Sequence, residues 1–168
     1  MAGGLCIRPA RDAERRALWR IHTRSVRELC QGAYSPREVR TWVELLRPEG
    51  YLRPEQPRAV LVAERERRLV GFGQLDPVLG ELEALYVLPE EVGQGIGTTL
   101  LAALEALAWR AQVAALRLDA SLNAESFYQE RGYVSLHEAQ RIITPDVRLA
   151  CVRMEKPRPA ARLESARR

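Results

Sequence analysis

The sequence has few of the residues that build metal sites and disulfides. Its 168 residues include three cysteines, Cys6, Cys30 and Cys151, and two histidines, His22 and His137. The cysteines are far apart and have none of the spacings typical of zinc ligands, so we expect no metal site. An odd number of separated cysteines also favours buried, reduced thiols over a disulfide framework, as in a cytoplasmic protein.

Long apolar runs are missing as well. No segment approaches the roughly 20 consecutive apolar residues that a membrane-spanning helix needs. Residues 1–6 contain no basic cluster followed by an apolar stretch, so we expect no signal peptide. The sequence therefore predicts a chain that neither enters nor crosses a membrane.

Excess positive charge is confined to the C-terminal end. The formal net charge is +4, from 26 basic and 22 acidic residues. Residues 157–168 hold four of the basic residues and one of the acidic ones, so residues 1–156 carry 22 basic and 21 acidic side chains. Because residues 1–156 are nearly neutral, they offer no basic face for a nucleic-acid backbone. The charge pattern therefore argues against a nucleic-acid partner bound through the C-terminal arginines. We expect residues 157–168 to form an Arg-rich, disordered tail.

The order of apolar patterns predicts a single domain over residues 1–156. Some segments have apolar residues at every second position, which predicts strands, and others have them at helical spacing, which predicts helices. With the turn residues between them, these segments give the order β-α-α-β-β-β-α-β-α-β-β. Most neighbouring strands in such an order are antiparallel, and the helices must cover the sheet. The pattern therefore indicates an α+β domain of three layers.

A glycine-rich turn joins a strand to a helix near the middle of the chain. Glycines alternate at Gly93, Gly95 and Gly97. Because glycine has no Cβ, a phosphate can approach backbone N–H groups at the positive end of the helix. A P-loop would need a lysine here, and the dinucleotide fingerprint would need glycine in place of Thr98. A glycine-rich turn without a ligand stays the alternative.

This turn and a later segment resemble two motifs of the GNAT superfamily of N-acetyltransferases, and the resemblance extends over residues 5–155. The family motif Gln/Arg-x-x-Gly-x-Gly/Ala falls on Val92-Gly93-Gln94-Gly95-Ile96-Gly97. The second segment matches the family at Asn123, Phe127, Tyr128, Gly132 and Tyr133. Val92 departs from the family, which has a basic or amide side chain there. Gln94 could replace that side chain, or the affinity for phosphate could be weaker.

The resemblance implies a GNAT fold, with a mixed, mostly antiparallel sheet of six to seven strands and about four helices. It also implies that acetyl-coenzyme A donates an acetyl group to a primary amine of a small molecule or peptide, by direct attack in a ternary complex and without a metal. A non-catalytic acyl-coenzyme A sensor or interaction domain is the alternative function. A monomer and a homodimer both stay open.

The resemblance assigns a set of cofactor-binding residues. They are Leu85, Tyr86, Val87, Val92, Gly93, Gln94, Gly95, Ile96, Gly97, Thr98, Asn123, Ser126, Tyr128 and Arg131. The backbone of Leu85 and Val87 would pair with the pantetheine like an added strand, and one of these amides would polarise the thioester carbonyl.

Three side chains are candidates for catalysis. Tyr128 matches the general acid of the family. A thiol has a pKa near ~8.5 and tyrosine one near ~10, so full proton transfer from Tyr128 to the departing thiolate is uphill by roughly 2 kcal/mol. A hydrogen bond from Tyr128 to the thiolate is therefore the safer description of its role. Glu81 and Glu83 stand two apart on a strand, which predicts that they share a face and that either could take the proton of the amine. The alternatives are packing beside Phe127 for the tyrosine and solvation for the two glutamates.

The acceptor pocket is expected between the N-terminal helices and the last strands. Polar and aromatic candidates there are His22, Arg24, Ser25, Arg27, Tyr34 and Trp42. Trp42 lies on the predicted buried face of its helix, which favours core packing. Tyr34 precedes the helix cap and is the better pocket candidate.

Overall fold

The computed structural model describes residues 4–161, which form seven strands and four α-helices. Three single-turn 3-10 helices lie between them. In chain order the elements are β1 (Cys6–Pro9), α1 (Arg15–Leu29), α2 (Pro36–Leu45), β2 (Ala59–Arg65), β3 (Arg68–Asp76), β4 (Glu81–Val87), α3 (Ile96–Arg110), β5 (Ala115–Ser121), α4 (Glu125–Gln129), β6 (Val134–Thr144) and β7 (Val147–Pro157). The element order, the sheet and the number of helices confirm the predicted α+β fold.

One mixed sheet contains all seven strands, in the order β1-β2-β3-β4-β5-β7-β6. Every neighbouring pair is antiparallel except β4 and β5, which run parallel. The crossover between these two strands is α3, as a parallel connection requires. The predicted mixed, mostly antiparallel sheet is therefore correct.

Helices cover both faces of the sheet, which gives the three predicted layers. On β3 the side chains alternate between the two faces. Phe72 makes an edge contact with His22 of α1, whereas a Cβ at Gly71 or Gly73 would touch leucine side chains of α3. Glycine at these two positions lets α3 pack close to the sheet, and the glycine-rich turn of residues 93–97 is held at its start.

The second helix begins where the sequence indicates, at a capping box. The Ser35 side chain accepts a hydrogen bond from the Glu38 backbone N–H at 3.2 Å, and the Glu38 carboxylate accepts one from the Ser35 N–H at 2.7 Å. Pro36 occupies the first turn, where no N–H is needed. This cap fixes where α2 begins above β7.

The turn between β3 and β4 sets the start of the parallel pair. The Asp76 carboxylate accepts hydrogen bonds from two turn N–H groups, at 2.9 and 3.0 Å. Gly80 has φ of +70°, and a Cβ there would lie 2.6 Å from the carbonyl oxygen of Ala115. The Gly80 carbonyl accepts a hydrogen bond from the Arg117 N–H at 2.9 Å. Glycine is thus required for β4 and β5 to meet.

The last strand continues one residue into the segment predicted as a tail. Beyond Pro157, the Arg158 backbone N–H donates to the Ala114 carbonyl at 2.8 Å, and its side chain reaches Gln112. Residues 162–168, where most of the predicted tail falls, lie outside the described residues. No helix within residues 4–161 combines the length and the apolar character that crossing a membrane requires.

Candidate functional site

The parallel strands β4 and β5 separate after a single pairing. Glu81 is paired with Arg117, and no later residue of β4 is paired with β5. A cavity of about 70 Å³ occupies the gap, lined by residues 82–86 of β4 and 118–121 of β5. We call this cavity the passage, because the pockets on its two sides share lining residues with it.

On one side of the passage lies a cleft of about 450 Å³ built around the start of α3, here called the glycine cleft. Gly93 and Gly95 have φ of +80° and +81°, the left-handed region that favours glycine. No side chain caps α3, and the N–H groups of a first helical turn have no acceptor within the helix. Free N–H donors and the positive end of a helix are groups that suit the binding of a phosphate.

Most of the predicted cofactor-binding residues line this cleft. They are Leu85, Tyr86, Val87, Val92, Gly93, Gly95, Ile96, Gly97, Thr98, Asn123, Tyr128 and Arg131. Gln94 and Ser126 do not line it. The Gln94 amide oxygen accepts a hydrogen bond from Arg65 at 2.6 Å, on the exposed side of the turn. The structure therefore places the Gln94 side chain away from the cleft.

Arg131 supplies positive charge where Val92 supplies none. Its guanidinium donates to the Thr98 hydroxyl at 2.7 Å and lies 3.7 Å from the centre of the Phe127 ring. Thr98 belongs to the first turn of α3, so the charge is held beside the free N–H groups. An anion in the cleft would meet both the helix end and this arginine.

Tyr128 lies where the glycine cleft and the passage join. It lines both cavities, and its ring packs edge-on against Phe127 and Tyr133. Burial raises the pKa of its hydroxyl, so the group stays protonated at neutral pH. Among the side-chain contacts of residues 4–161, none is a hydrogen bond to this hydroxyl, which is free to donate to a ligand.

Two thiols lie near the same junction. Cys30 lines the glycine cleft and Cys151 lines the passage. Burial raises the pKa of Cys30 to about 11 and raises that of Cys151 too. Both are therefore thiols at neutral pH and poor nucleophiles.

On the other side of the passage lies a pocket of about 520 Å³ with several charged walls, here called the polar pocket. Residues 82–84, Asp119 and Arg141 line both it and the passage. Further lining residues are His22, Leu45, Leu46, Arg47, Gly50, Tyr51, Gln74 and Glu81. The predicted pair Glu81 and Glu83 thus faces one pocket.

Arginines form ion pairs with the carboxylates of the polar pocket. Arg153 forms an ion pair with both oxygens of Glu81 and a second with Asp119 at 3.3 Å. Glu83 accepts hydrogen bonds from Arg58 and from Gln74, each at 2.8 Å. The two glutamates thus have different partners, and only Glu83 also lines the passage.

A β-bulge places Glu83 at the point where the strands separate. Gln74 pairs with Ala84 and Leu75 with Leu82, which leaves Glu83 as an extra residue in β4. Bulges re-aim side chains and occur often beside active sites. The strict alternation predicted for Glu81 and Glu83 is interrupted here, although both carboxylates still reach the pocket.

His22 lies deep in the wall of the polar pocket. Its Nδ1 is 2.8 Å from the Tyr51 hydroxyl, its ring stacks 3.9 Å from that of Tyr86, and its Nε2 is buried without a partner among residues 4–161. Burial lowers the pKa of His22 to about 3, and the charge of Arg141 contributes. The imidazole is therefore neutral at neutral pH.

The other candidates from the N-terminal helices divide between core and surface. Trp42 is buried, as predicted for core packing. Tyr34 lines the passage, but its hydroxyl already donates to the Ala150 carbonyl at 2.6 Å and accepts from the Leu122 N–H at 3.0 Å. Ser25 lines the glycine cleft, while Arg24 forms ion pairs with Glu28 and Glu90. Arg27 lines a separate groove between α1 and α2.

Sequence reasoning missed several pocket residues, notably Tyr51, Asp119 and Arg141. For Arg141 a signal was present. It stands between Ala139 and Ile143 on β6, so a charge interrupts the apolar positions of that face. Nothing local marks Tyr51 or Asp119, which reach the site only through the packing of the sheet. Within residues 4–161 no group of three or more acidic, histidine or cysteine residues could hold a metal ion.

Comparisons with known proteins were made by sequence and by structure. A family model described as an acetyltransferase (GNAT) domain matches residues 30–146. No curated protein matches the sequence. Among solved structures, a GCN5-related N-acetyltransferase from Rhodopseudomonas palustris, also described as an aminotransferase of class II, has 28% identity and a TM-score of 0.85. The match covers 94% of this chain and 98% of that one.

Two further structures are similar over nearly their whole length. A ribosomal-protein-alanine N-acetyltransferase from Brucella melitensis has 28% identity and a TM-score of 0.69, with 90% of this chain and 99% of that one covered. The PaiA N-acetyltransferase from Thermoplasma acidophilum, in complex with coenzyme A, has 23% identity and a TM-score of 0.75, with 92% and 99% covered. At 23% identity, the similarity to PaiA shows the fold alone.

The buried neutral state of His22 predicts a specific acid sensitivity. An unfolded histidine takes up a proton below its ordinary pKa of ~6.5, whereas folded His22 does so only near its lowered pKa of about 3. The free energy of unfolding should therefore fall as the pH drops through this window, by about 2 kcal/mol between pH 7 and pH 5. Denaturant unfolding of the wild type and of His22→Gln at both pH values measures this loss.

The exposed His137 provides the matched control, since His137→Gln should keep the wild-type loss between the two pH values. His22→Gln should lack about 2 kcal/mol of it. An equal loss in His22→Gln and the wild type would show that His22 is not buried in its neutral form.

Proposed function

The chain belongs to the GNAT family of acyl-coenzyme A-dependent acetyltransferases, and we propose that it transfers the acetyl group of acetyl-coenzyme A directly to a primary amine of a small molecule or peptide. One observation carries the proposal. The glycine cleft and the polar pocket share no lining residue with each other, yet each shares lining residues with the passage between the separated strands. A thioester in the cleft and an amine in the pocket would meet there.

The proposed position of the cofactor follows from the charges and donors of the cleft. Its pyrophosphate would bind the free N–H groups of residues 95–98, with Arg131 beside them. The pantetheine would extend along the backbone of Leu85 and Val87, which β5 leaves unpaired. One of these amides would donate to the carbonyl oxygen of the thioester as negative charge develops on it. The match to the acetyltransferase (GNAT) family model supports this choice of cofactor.

We favour direct attack by the amine over an acetylated enzyme. Cys30 and Cys151 are the thiols at the junction, and burial keeps both protonated at neutral pH, so neither is an activated nucleophile. In direct attack the amine nitrogen forms a bond to the acetyl carbon and the carbon–sulfur bond breaks. The nitrogen gives up a proton, and coenzyme A leaves as a thiolate that is then protonated.

Glu83 is the better placed of the two predicted bases. It lies at the passage, whereas both oxygens of Glu81 are bound by Arg153. Most amines are protonated at neutral pH, so a carboxylate must take that proton before the attack, directly or through a water molecule. We assign this step to Glu83, and to Glu81 the positioning of β4 against β5 through its ion pair with Arg153.

Tyr128 would stabilise the departing thiolate. Because its pKa is raised further above that of a thiol, complete proton transfer is uphill, and donation of a hydrogen bond is the role that its chemistry allows. Its position between cleft and passage is where the sulfur of a bound thioester would lie. The contact would be strongest in the transition state, where charge on sulfur is greatest.

Tyr128→Phe should therefore lower turnover much more than cofactor binding. The variant keeps the ring and its packing, so the fold should survive. We expect kcat to fall by about 10²- to 10⁴-fold, with the KM for acetyl-coenzyme A changed only a few-fold. Thiol release from acetyl-coenzyme A is the measurement, over a panel of amines, amino acids, polyamines, aminoglycosides and peptides with free N-termini.

Tyr133→Phe is the matched control, because the Tyr133 hydroxyl donates to Glu105 and does not line the cleft. It should keep the wild-type kcat. An unchanged kcat in Tyr128→Phe would reduce Tyr128 to a packing residue. A wild-type protein that binds acetyl-coenzyme A but releases no thiol with any acceptor would contradict the proposed function and indicate an acyl-coenzyme A sensor.

Glu83→Gln should lower activity in a pH-dependent way. At neutral pH we expect kcat/KM to fall by about 10²-fold, and part of it should return at higher pH, where the amine loses its proton unaided. Glu81→Gln should show a smaller loss without such a recovery. The pH dependence of kcat/KM for both variants and the wild type tests this. A wild-type profile for Glu83→Gln would remove Glu83 as the base.

A further inference from the structure

Arg141 is a cation of the polar pocket for which residues 4–161 offer no counter-ion. It forms no ion pair or side-chain hydrogen bond with them, yet it lines both the polar pocket and the passage. Unmatched arginines on a protein surface are common, but this one faces a cavity rather than bulk solvent alone. Its charge is therefore available to a ligand in the pocket.

The sheet register explains why Arg141 points towards the pocket. Arg141 lies opposite Leu149 of β7, and directly paired residues of antiparallel strands project from the same face. Leu149 is 2% exposed, in the core cluster below α1 and α2. The backbone of β6 thus directs Arg141 to the inner face, where its long side chain reaches the pocket.

The other charged groups of the polar pocket have partners among residues 4–161. Glu81 and Asp119 share Arg153, and Glu83 is bound by Arg58. The guanidinium of Arg47 donates to the carbonyls of Glu44 and Leu46 at the end of α2. The imidazole of His22 is neutral. Arg141 is therefore the one cation in the lining of this pocket whose guanidinium has no partner among residues 4–161.

We propose that the acceptor is a small amine that also carries a carboxylate, such as a free amino acid, and that Arg141 binds this carboxylate. The inference rests on the proposed acetyltransferase function and adds its substrate class. A guanidinium offers two parallel N–H donors to the two oxygens of a carboxylate, a geometry that fixes orientation as well as charge. A polyamine or another purely cationic acceptor would leave Arg141 unmatched and be repelled by it.

The arrangement of the pocket gives such an acceptor one orientation. Its carboxylate would lie at Arg141 on β6, and its amine would lie at Glu83, on the β4 side of the passage. The amine would then face the proposed position of the thioester. Arg141 is thus a specificity-determining residue that positions the nucleophile.

Arg141→Gln should separate acceptors by their charge. We expect the KM for amino-acid acceptors to rise by about 10- to 100-fold, as for the loss of a charge-assisted hydrogen bond, with kcat and the KM for acetyl-coenzyme A nearly unchanged. Thiol release is measured for each amino acid and for its amide and its decarboxylated amine. The wild type should prefer the amino acid by a similar factor, and Arg141→Gln should lose that preference. Arg141→Lys should restore it in part.

Arg148→Gln is the matched control. Arg148 lies on β7 next to Leu149, so its side chain projects from the opposite face, and it lines neither the passage nor the polar pocket. This variant should keep the wild-type preference. A wild type that acetylates amides and decarboxylated amines as well as amino acids, with no change in Arg141→Gln, would overturn the inference while leaving the acetyltransferase function intact.

A binding measurement keeps the inference testable if turnover is too slow to follow. Calorimetry of the same acceptors with protein saturated by coenzyme A should show tighter binding of amino acids to the wild type than to Arg141→Gln. Equal binding to both, or no binding of any amino acid, would overturn the inference. Failure of coenzyme A itself to bind would instead contradict the proposed function.

Discussion

The candidate site depends on two parallel strands that meet at one end only. Gly80 lets β4 approach β5 so closely that its carbonyl bonds the Arg117 N–H, and Arg153 holds Glu81 of β4 and Asp119 of β5 together. Beyond this point the strands separate, the edge of β4 that faces β5 is left unpaired, and the passage opens. The passage, and the lining residues that it shares with both pockets, follow from this one constraint.

The parts of the site that sequence reasoning predicted are those encoded by local spacing. The alternating glycines before Ile96 require a turn that leaves N–H groups free at a helix start, and the structure has φ of +80° and +81° at Gly93 and Gly95. The Phe127-Tyr128 segment follows β5 directly, which brings the tyrosine to the end of the separated strands. The element order was equally local, since helical and alternating patterns can be recognised within each segment.

The parts that sequence reasoning did not predict come from contacts between distant segments. Arg141 reaches the pocket because β6 lies at the sheet edge beyond β7, an order that no local pattern encodes. The bulge at Glu83 depends on the register between β3 and β4. Gln94 is turned out of the cleft by Arg65, a residue 29 positions away. Arg131, rather than Gln94, therefore lies beside the first turn of α3.

The central claim is that the free N–H groups at the start of α3 hold the phosphates of acetyl-coenzyme A. Thermal unfolding with and without the cofactor tests it most directly, in the wild type and in Gly97→Val. Gly97 has no positive φ, and a Cβ there would point to Phe127 and Val87, so a valine side chain fills the cleft without straining the turn.

At 100 times its Kd acetyl-coenzyme A should stabilise the wild type by about 2.7 kcal/mol, which raises Tm by roughly 5–10 °C. Gly97→Val should unfold near the wild-type Tm without the cofactor and show no shift with it. An equal shift in Gly97→Val, or an equal shift of the wild type with ATP, would contradict the account.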